Sequence, residues 1–269
     1  MRFSDRIGIT KPPLLDLQEM TSELKVALWN AWHPPMFSNA WQGRCASLWN
    51  SLHWPVDYIP YHDYDAQKKL RTWFFDDARA WHEIYDVSEL CGQMLAANNS
   101  YRVQLWTQLN DVLEVEGSPY RFLDGQLTPV ADPVEYAALA EAATGPRGFA
   151  GAAAHIKAAA QMLGARPEPD FRNCIKEAIS AVESALKIIT GRDHADLADA
   201  LRDFQQAHPI HGALFKGLDS LYGYTLNEHG LRHALLDGHA RVGFNEAKFM
   251  LVACAAFVSF LVGKASEAT

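Results

Sequence analysis

The densest group of side chains able to do chemistry lies in residues 228–239, which include Arg232, His233 and His239. Six residues separate Arg232 from His239, so a continuous helix of two turns would place both side chains on one face. If the helix ends at Gly238 instead, His239 begins a loop that folds beside it. In either case the guanidinium and the imidazole can meet.

These two groups are sufficient for RNA cleavage without a metal ion. An imidazole titrates near neutral pH and can take a proton from an attacking ribose 2′-hydroxyl. A guanidinium can stabilise the negative charge that grows on a pentacoordinate phosphorus. Arg232 and His239 are therefore candidate catalytic residues, with His233 as the less favoured base. The product would carry a 2′,3′-cyclic phosphate, and DNA would be spared because it lacks the 2′-hydroxyl.

Each of these residues also has a purely structural interpretation. Arg232 could pair with Glu177 or Glu183 on a neighbouring helix, and His233 could form a surface pair with Asp237 four residues later. His239 could be an ordinary loop histidine. The sequence leaves these alternatives open beside the catalytic one.

A metal site is the weaker interpretation of the same region. His229, His233 and Asp237 are spaced four residues apart, in one row of a helix. Such a row extends over about 12 Å, which is too far for three ligands of one ion. We predict no metal ion. Walker, dinucleotide-binding, Ser-His-Asp and His-Glu-x-x-His patterns are missing as well, so we predict no cofactor.

The elements that must position these residues form a predicted five-helix bundle. The first helix begins after Asp170, a plausible N-cap, has one apolar face, and ends at Thr190-Gly191. Its polar face holds Asn173 and Lys176. We assign these two residues, with Asp237, to substrate binding in a groove opposite Arg232; the alternative is a solvated surface. The other four helices are predicted at about 195–206, 212–222, 228–236 and 245–262.

The first part of the chain is predicted to be mostly helical, with one β-hairpin at about 120–130 around Asp124-Gly125. A first helix over residues 20–32 should end at His33-Pro34-Pro35. Further helices are predicted at 101–115, 133–143 and 149–163. The Pro-containing connection at residues 164–169 predicts a domain boundary, which gives domains 1–166 and 167–269.

Composition limits the classes of function. The net charge is −8 and the pI is about 5.7, which argues against a charge-driven nucleic-acid coat protein. Four separated cysteines without a Cys-x-x-Cys pair give no sign of a disulfide framework. The N-terminus lacks the apolar core of a signal peptide, and the apolar run 249–262 is shorter than the ~20 residues of a membrane span. We therefore expect a cytoplasmic protein without a membrane segment.

Several segments resemble AbiJ-type abortive-infection proteins, whose C-terminal halves belong to the HEPN superfamily. The C-terminal resemblance rests on four segments: DFRNCIKEAISAVE (170–183), LYGYT (221–225), GLRHALLD (230–237) and AKFMLVAC (247–254). The opening RFSDRIGIT (2–10) and the hairpin YRFLDG (120–125) resemble an accessory N-terminal domain found with these halves.

The resemblance implies an antiphage RNA endonuclease that acts as a homodimer, with RNA as substrate and a phage-derived trigger or cognate regulator as a further partner. The superfamily motif is Arg, a polar residue, a spacer giving four to six intervening residues, and His. Arg232-His233 followed by His239 fits the long spacing. In the short-spacer form, the histidine would stand where this chain has Asp237.

Two other classes of function stay open. The chain could be a non-catalytic module for sensing, dimerisation or binding, acting through its aromatic-rich first half, where all eight tryptophans lie between Trp29 and Trp106. It could also be a structural subunit of a larger defence complex. Cleavage of RNA that depends on Arg232 would distinguish the nuclease from both.

Overall fold

The structure is a computed structural model that describes residues 15–96, 102–145, 148–165, 168–192, 197–208, 210–226 and 242–267. These residues form eleven α-helices and one two-stranded antiparallel hairpin. The prediction of a mainly α protein with a single hairpin is therefore confirmed. Contacts divide the chain into two compact units, between Ala131 and Asp132.

The first unit packs five helices with the hairpin. Helix α1 contacts α4 and α5, helix α2 contacts α3 and α4, and the hairpin lies against α4 and α5. The elements are α1 (Ser22–Met36), α2 (Trp41–Ser51), a 3₁₀ turn (Val56–Tyr58), α3 (Asp63–Phe74), α4 (Trp81–Ala96), α5 (Arg102–Val115), β1 (Arg121–Leu123) and β2 (Gln126–Thr128).

Tryptophans form much of the core of this unit. Trp32 and Trp49 are fully buried, and the ring of Trp32 lies 5.4 Å from that of Phe74 in an edge-to-face arrangement. All eight tryptophans are buried or half-buried. Such rings stabilise the fold by the large apolar area that they remove from water.

Helix α1 corrects one sequence prediction. It does not end at His33, because it continues through Pro34 and Pro35 to Met36. The fixed φ of proline is itself helical, and little of the helix follows the two prolines, so they cost hydrogen bonds without breaking the helix. Arg44 stabilises this end, since its Nε donates to the Met36 carbonyl at 2.9 Å.

The hairpin is confirmed as predicted. Arg121 pairs with Thr128, and Asp124 and Gly125 form the turn with φ values of 50° and 84°. Two consecutive positive φ values are what a two-residue turn needs to follow the twist of its strands, and Asp-Gly is a sequence that permits them.

The second unit contains six described helices. Helices α6, α7, α8 and α11 pack on one another, α9 contacts α8, and α10 contacts α9. Their bounds are α6 (Pro133–Thr144), α7 (Ala150–Gly164), α8 (Phe171–Thr190), α9 (Leu197–Ala207), α10 (Gly212–Leu226) and α11 (Phe244–Glu267). The helix predicted at 228–236 lies outside the described residues.

The start of this unit differs from the domain boundary that the sequence predicts near residue 166. Asp132 caps α6, accepting hydrogen bonds from the backbone N–H groups of Val134 and Glu135. Helix α7 belongs to the same unit because its alanine-rich side, which includes Ile156 and Leu163, is buried in the bundle. Small side chains let two helices approach closely.

Helix α11 contains the apolar run 249–262. Among the described residues it is the one helix long and apolar enough to cross a membrane, with a mean hydropathy of 1.9 over an 18-residue window. A single helix of this kind is weak evidence for a membrane protein, because core helices of soluble proteins have the same composition. Helix α11 buries one side against α6, α7 and α8.

Candidate functional site

The predicted catalytic residues lie outside the described residues. This applies to Arg232, His233 and His239, and also to Asp237, which the sequence assigns to substrate binding. Their predicted roles therefore remain predictions. The described part of the predicted site is the polar face of α8.

Helix α8 presents this face because its sequence is strongly amphipathic. Asp170 caps its N-terminus, and Gly191 ends it in the left-handed conformation with φ of 69°, as the sequence predicts. The apolar side is buried, and it includes Ile175, Ala178, Val182 and Leu186. Polar residues occupy the other side, which we call the α8 polar face: Asn173, Lys176, Glu177, Ser180, Glu183 and Lys187.

Asn173 and Lys176 lie one turn apart on this face, and both are exposed. Asp170 holds Asn173 at the start of the helix. Its Oδ1 accepts from the backbone N–H of Asn173 at 3.0 Å, and its Oδ2 accepts from the side-chain amide at 2.7 Å. The structure thus brings together the two predicted substrate-binding residues that it describes, with a cationic side chain beside a fixed amide.

A histidine that sequence reasoning did not select also lies on this face. Nδ1 of His155, on α7, is 2.7 Å from Oε2 of Glu177, and the two side chains are 39% and 29% exposed. Gly151 allows α7 to come close, since a Cβ there would lie 2.8 Å from Oγ of Ser184. A carboxylate at one ring nitrogen fixes the orientation of an imidazole. No local spacing signals this pair, because its members are 22 positions apart in the sequence.

The two carboxylates that the sequence offers as structural partners of Arg232 both have partners on the described helices. Glu177 is bonded to His155, and Oε1 of Glu183 lies 2.9 Å from Nζ of Lys187. Together with Lys176, these side chains give the α8 polar face charges of both signs. It can therefore contact a phosphate through a lysine without being a strongly basic surface.

The described residues contain no group of three or more histidine, cysteine, aspartate or glutamate side chains that could hold a metal ion. All four cysteines are buried and free. Burial raises the pKa of the Cys174 and Cys254 thiols to about 12, so neither is a nucleophile at neutral pH.

A small cleft of about 140 Å³ lies elsewhere in the second unit, with walls from α6, α7 and α11. Small and apolar residues line most of it. Ser259 contributes a buried hydroxyl that has no hydrogen-bond partner within the described part of the chain, and Glu141 also lines the cleft. Its volume is below that of typical sites for drug-sized ligands.

Comparison with known proteins gives one result. The family model for AbiJ N-terminal domain 4 matches residues 1–144. No curated protein and no solved structure matches the chain. The matched region covers the whole first unit and also α6, the first helix of the second unit.

Proposed function

We propose that this chain, which belongs to the AbiJ N-terminal domain 4 family, is an abortive-infection protein that cleaves RNA. The family match over residues 1–144 is the observation that supports a role in abortive infection. The Arg232–His239 spacing supports the finer proposal of a metal-independent endoribonuclease of HEPN type.

In the proposed reaction His239, or less favourably His233, takes the proton of a ribose 2′-hydroxyl. The alkoxide attacks the adjacent phosphate in line, the bond to the 5′-oxygen breaks as that oxygen takes the proton from the imidazolium, and a 2′,3′-cyclic phosphate forms. Arg232 stabilises the charge on the phosphorus oxygens. The mechanism needs no cofactor, since acid, base and charge stabilisation all come from side chains.

The α8 polar face is proposed to bind the RNA backbone next to this site. Lys176 is exposed and can contact a phosphate, while Asn173 can bind a ribose or phosphate oxygen; Asp237 is the third residue assigned to substrate binding. We propose further that the active form is a homodimer, and that a phage-derived trigger or a cognate regulator controls it.

The test is cleavage of total cellular RNA and tRNA by purified protein in EDTA. We expect cyclic-phosphate ends, no cleavage of DNA, and loss of about 10² to 10⁴-fold in rate for Arg232→Ala and for His239→Ala. His82→Ala is the matched control, because His82 is an exposed histidine of α4. Equal rates for wild type and both site variants would refute the proposed site, and cleavage only with added divalent metal would refute the metal-free mechanism.

Lys176→Ala tests the α8 polar face. Removal of one phosphate contact should raise KM and lower its salt dependence, with little change in kcat. Lys264→Ala is the control, because Lys264 is a lysine near the end of α11 that pairs with Glu267. Equal effects of the two substitutions would refute a specific role for Lys176.

The alternative is a non-catalytic sensing, dimerisation or binding module. One observation favours it: the family match lies in residues 1–144, which hold all eight tryptophans and none of the proposed catalytic residues. A stable, stoichiometric complex with a purified phage component, together with no cleavage of any RNA tested, would favour this alternative over the nuclease.

A further inference from the structure

Helix α3 of the first unit presents a row of exposed side chains that the proposed reaction does not use. Tyr64, Lys68 and Arg71 follow one another at steps of four and three residues, so they lie on one side of the helix. All three are exposed, and we call them the α3 row. Tyr61, which is exposed too, precedes the helix by two residues, at the tyrosine end of the row.

The two tyrosines are the most exposed aromatic side chains among the residues that the structure describes. Tyr61 is 87% exposed and Tyr64 is 69% exposed, whereas every tryptophan of this unit is buried or half-buried. A tyrosine ring left in water offers a flat face on which an unpaired base can stack. The start of α3 is therefore a surface suited to stacking.

The cations of this helix have no carboxylate partner. Lys68, Lys69 and Arg71 form no ion pair with any residue in the described ranges. Asp65 precedes the two lysines by three and four residues, which is the spacing of ion pairs that other helices do form: Arg79–Glu83, Lys187–Glu183, Arg202–Asp199 and Lys264–Glu267. In a chain with a net charge of −8, three unpaired cations within four residues are a local exception. They repel one another, and an anionic ligand relieves that repulsion.

Aromatic rings hold two of these cations in place. Nζ of Lys69 lies 5.6 Å from the ring centre of Trp49 and 5.4 Å from that of Trp54. Cζ of Arg71 lies 4.9 Å from the ring centre of Phe75. A cation over a ring keeps its charge, and its side chain is already partly ordered. Less conformational entropy is therefore lost when these groups bind a phosphate.

The acidic residues of this helix have a structural explanation. Asp63 and Asp65 lie in its first turn, where the unpaired backbone N–H groups and the helix dipole stabilise carboxylates. Oδ1 of Asp63 accepts from the backbone N–H of Tyr64 at 2.7 Å. The positive charge is thus concentrated in the later turns of α3, beyond the tyrosines. Rings and cations side by side match a strand that carries both unpaired bases and phosphates.

We propose that the α3 row, together with Tyr61 and Lys69, binds single-stranded RNA. Bases stack on the two tyrosine rings, and the neighbouring phosphates contact the three cations. Stacking and phosphate contacts do not read base edges, so binding is independent of sequence. The inference rests on the proposed function only in taking RNA as the ligand, and it uses none of the residues proposed for catalysis.

The test is binding of a 2′-O-methylated RNA of about 12 nucleotides by the full-length protein. Methylation removes the hydroxyl that cleavage requires, so binding is measured whether or not the protein is a nuclease. Fluorescence anisotropy of the labelled strand, in EDTA and about 50 mM salt, gives the Kd.

The double variant Lys68→Ala and Arg71→Ala tests the phosphate contacts. Its Kd should rise by about 10-fold or more, and the slope of log Kd against log salt should fall by about 1.4, or about 0.7 for each lost contact. The double variant Arg202→Ala and Lys264→Ala is the matched control, because it removes one arginine and one lysine that pair with carboxylates on other helices. Equal effects of the two double variants would show that net charge alone matters and would overturn the proposal.

The double variant Tyr61→Ala and Tyr64→Ala tests the stacking. Its Kd for the single strand should rise by about 5-fold or more for each base that loses its ring, while Tyr61→Phe and Tyr64→Phe should bind as the wild type does. Binding of duplex RNA should stay unchanged in all of these variants, because paired bases cannot stack on the rings. Circular dichroism confirms that each variant is folded. Wild-type affinity of the double variant, or an equal loss for single strand and duplex, would overturn the proposal.

The remaining outcomes separate this inference from the nuclease. Binding of the probe that depends on the α3 row, in a protein that cuts no RNA, supports the row and counts against the nuclease. Cleavage in EDTA with a KM that the double variant Lys68→Ala and Arg71→Ala leaves unchanged overturns the row and leaves the nuclease standing. A wild type that does not bind the probe, but binds a purified phage component through Tyr61 and Tyr64, would assign the row to a protein partner and overturn the proposal.

Discussion

The place of α6 in the second unit leads to a prediction about where the chain can be cut. The family match ends at residue 144, but α6 packs on α7 and α11 within the second unit. A fragment of residues 145–269 therefore lacks part of its own core, whereas a fragment of residues 132–269 keeps it. We expect the longer fragment to be clearly more stable.

The size of the effect follows from what α6 buries. Leu139 is fully buried, and removal of a buried leucine side chain costs about 2–5 kcal/mol. Ala142 and Ala143 are buried too, and burial of each methyl group stabilises the fold by about 0.8 kcal/mol. The half-exposed ion pair of Glu135 with Lys248, at 2.6 Å, adds less than about 1 kcal/mol. The total, about 4–7 kcal/mol, is a large share of the 5–15 kcal/mol that stabilises a typical domain.

Urea unfolding followed by far-UV circular dichroism measures this difference. With a slope of about 2 kcal/mol per molar urea, loss of α6 should lower the midpoint by about 2 to 3.5 M or abolish the transition. In the full-length protein, Leu139→Ala should lower the midpoint of the second unit, whereas Val134→Ala should not, because Val134 is 78% exposed. Equal midpoints for the two fragments, or for the two variants, would refute the argument.

Two further predictions concern the first unit. Arg121 is buried and donates to the carbonyls of Ser118 at 2.9 Å and Tyr120 at 2.8 Å. Arg121→Lys should therefore lower the free energy of unfolding in urea by about 2–4 kcal/mol. An unchanged unfolding midpoint would contradict this. Burial raises the pKa of Glu89, so the folded state holds its proton to higher pH than the unfolded state does. The free energy of unfolding should therefore rise as the pH falls from the raised pKa toward the ordinary glutamate pKa. Glu89→Gln should show a smaller rise, while its side-chain oxygen still accepts from the Leu127 N–H; an identical pH profile would refute this.

Features with a local physical cause could be predicted from the sequence. The hairpin follows from Asp124-Gly125, because few other dipeptides tolerate two positive φ values. The bounds of α8 follow from the Asp170 cap and from Gly191, which adopts the left-handed conformation. The position of Asn173 and Lys176 on the same exposed face of the helix follows from the helical period alone.

Features that depend on distant partners could not be predicted. The His155–Glu177 pair exists because α7 packs on α8, and neither sequence segment indicates that contact. The continuation of α1 past Pro34 is stabilised by Arg44, which comes from the next helix. A proline is a strong local signal, but neighbouring side chains decide what it costs.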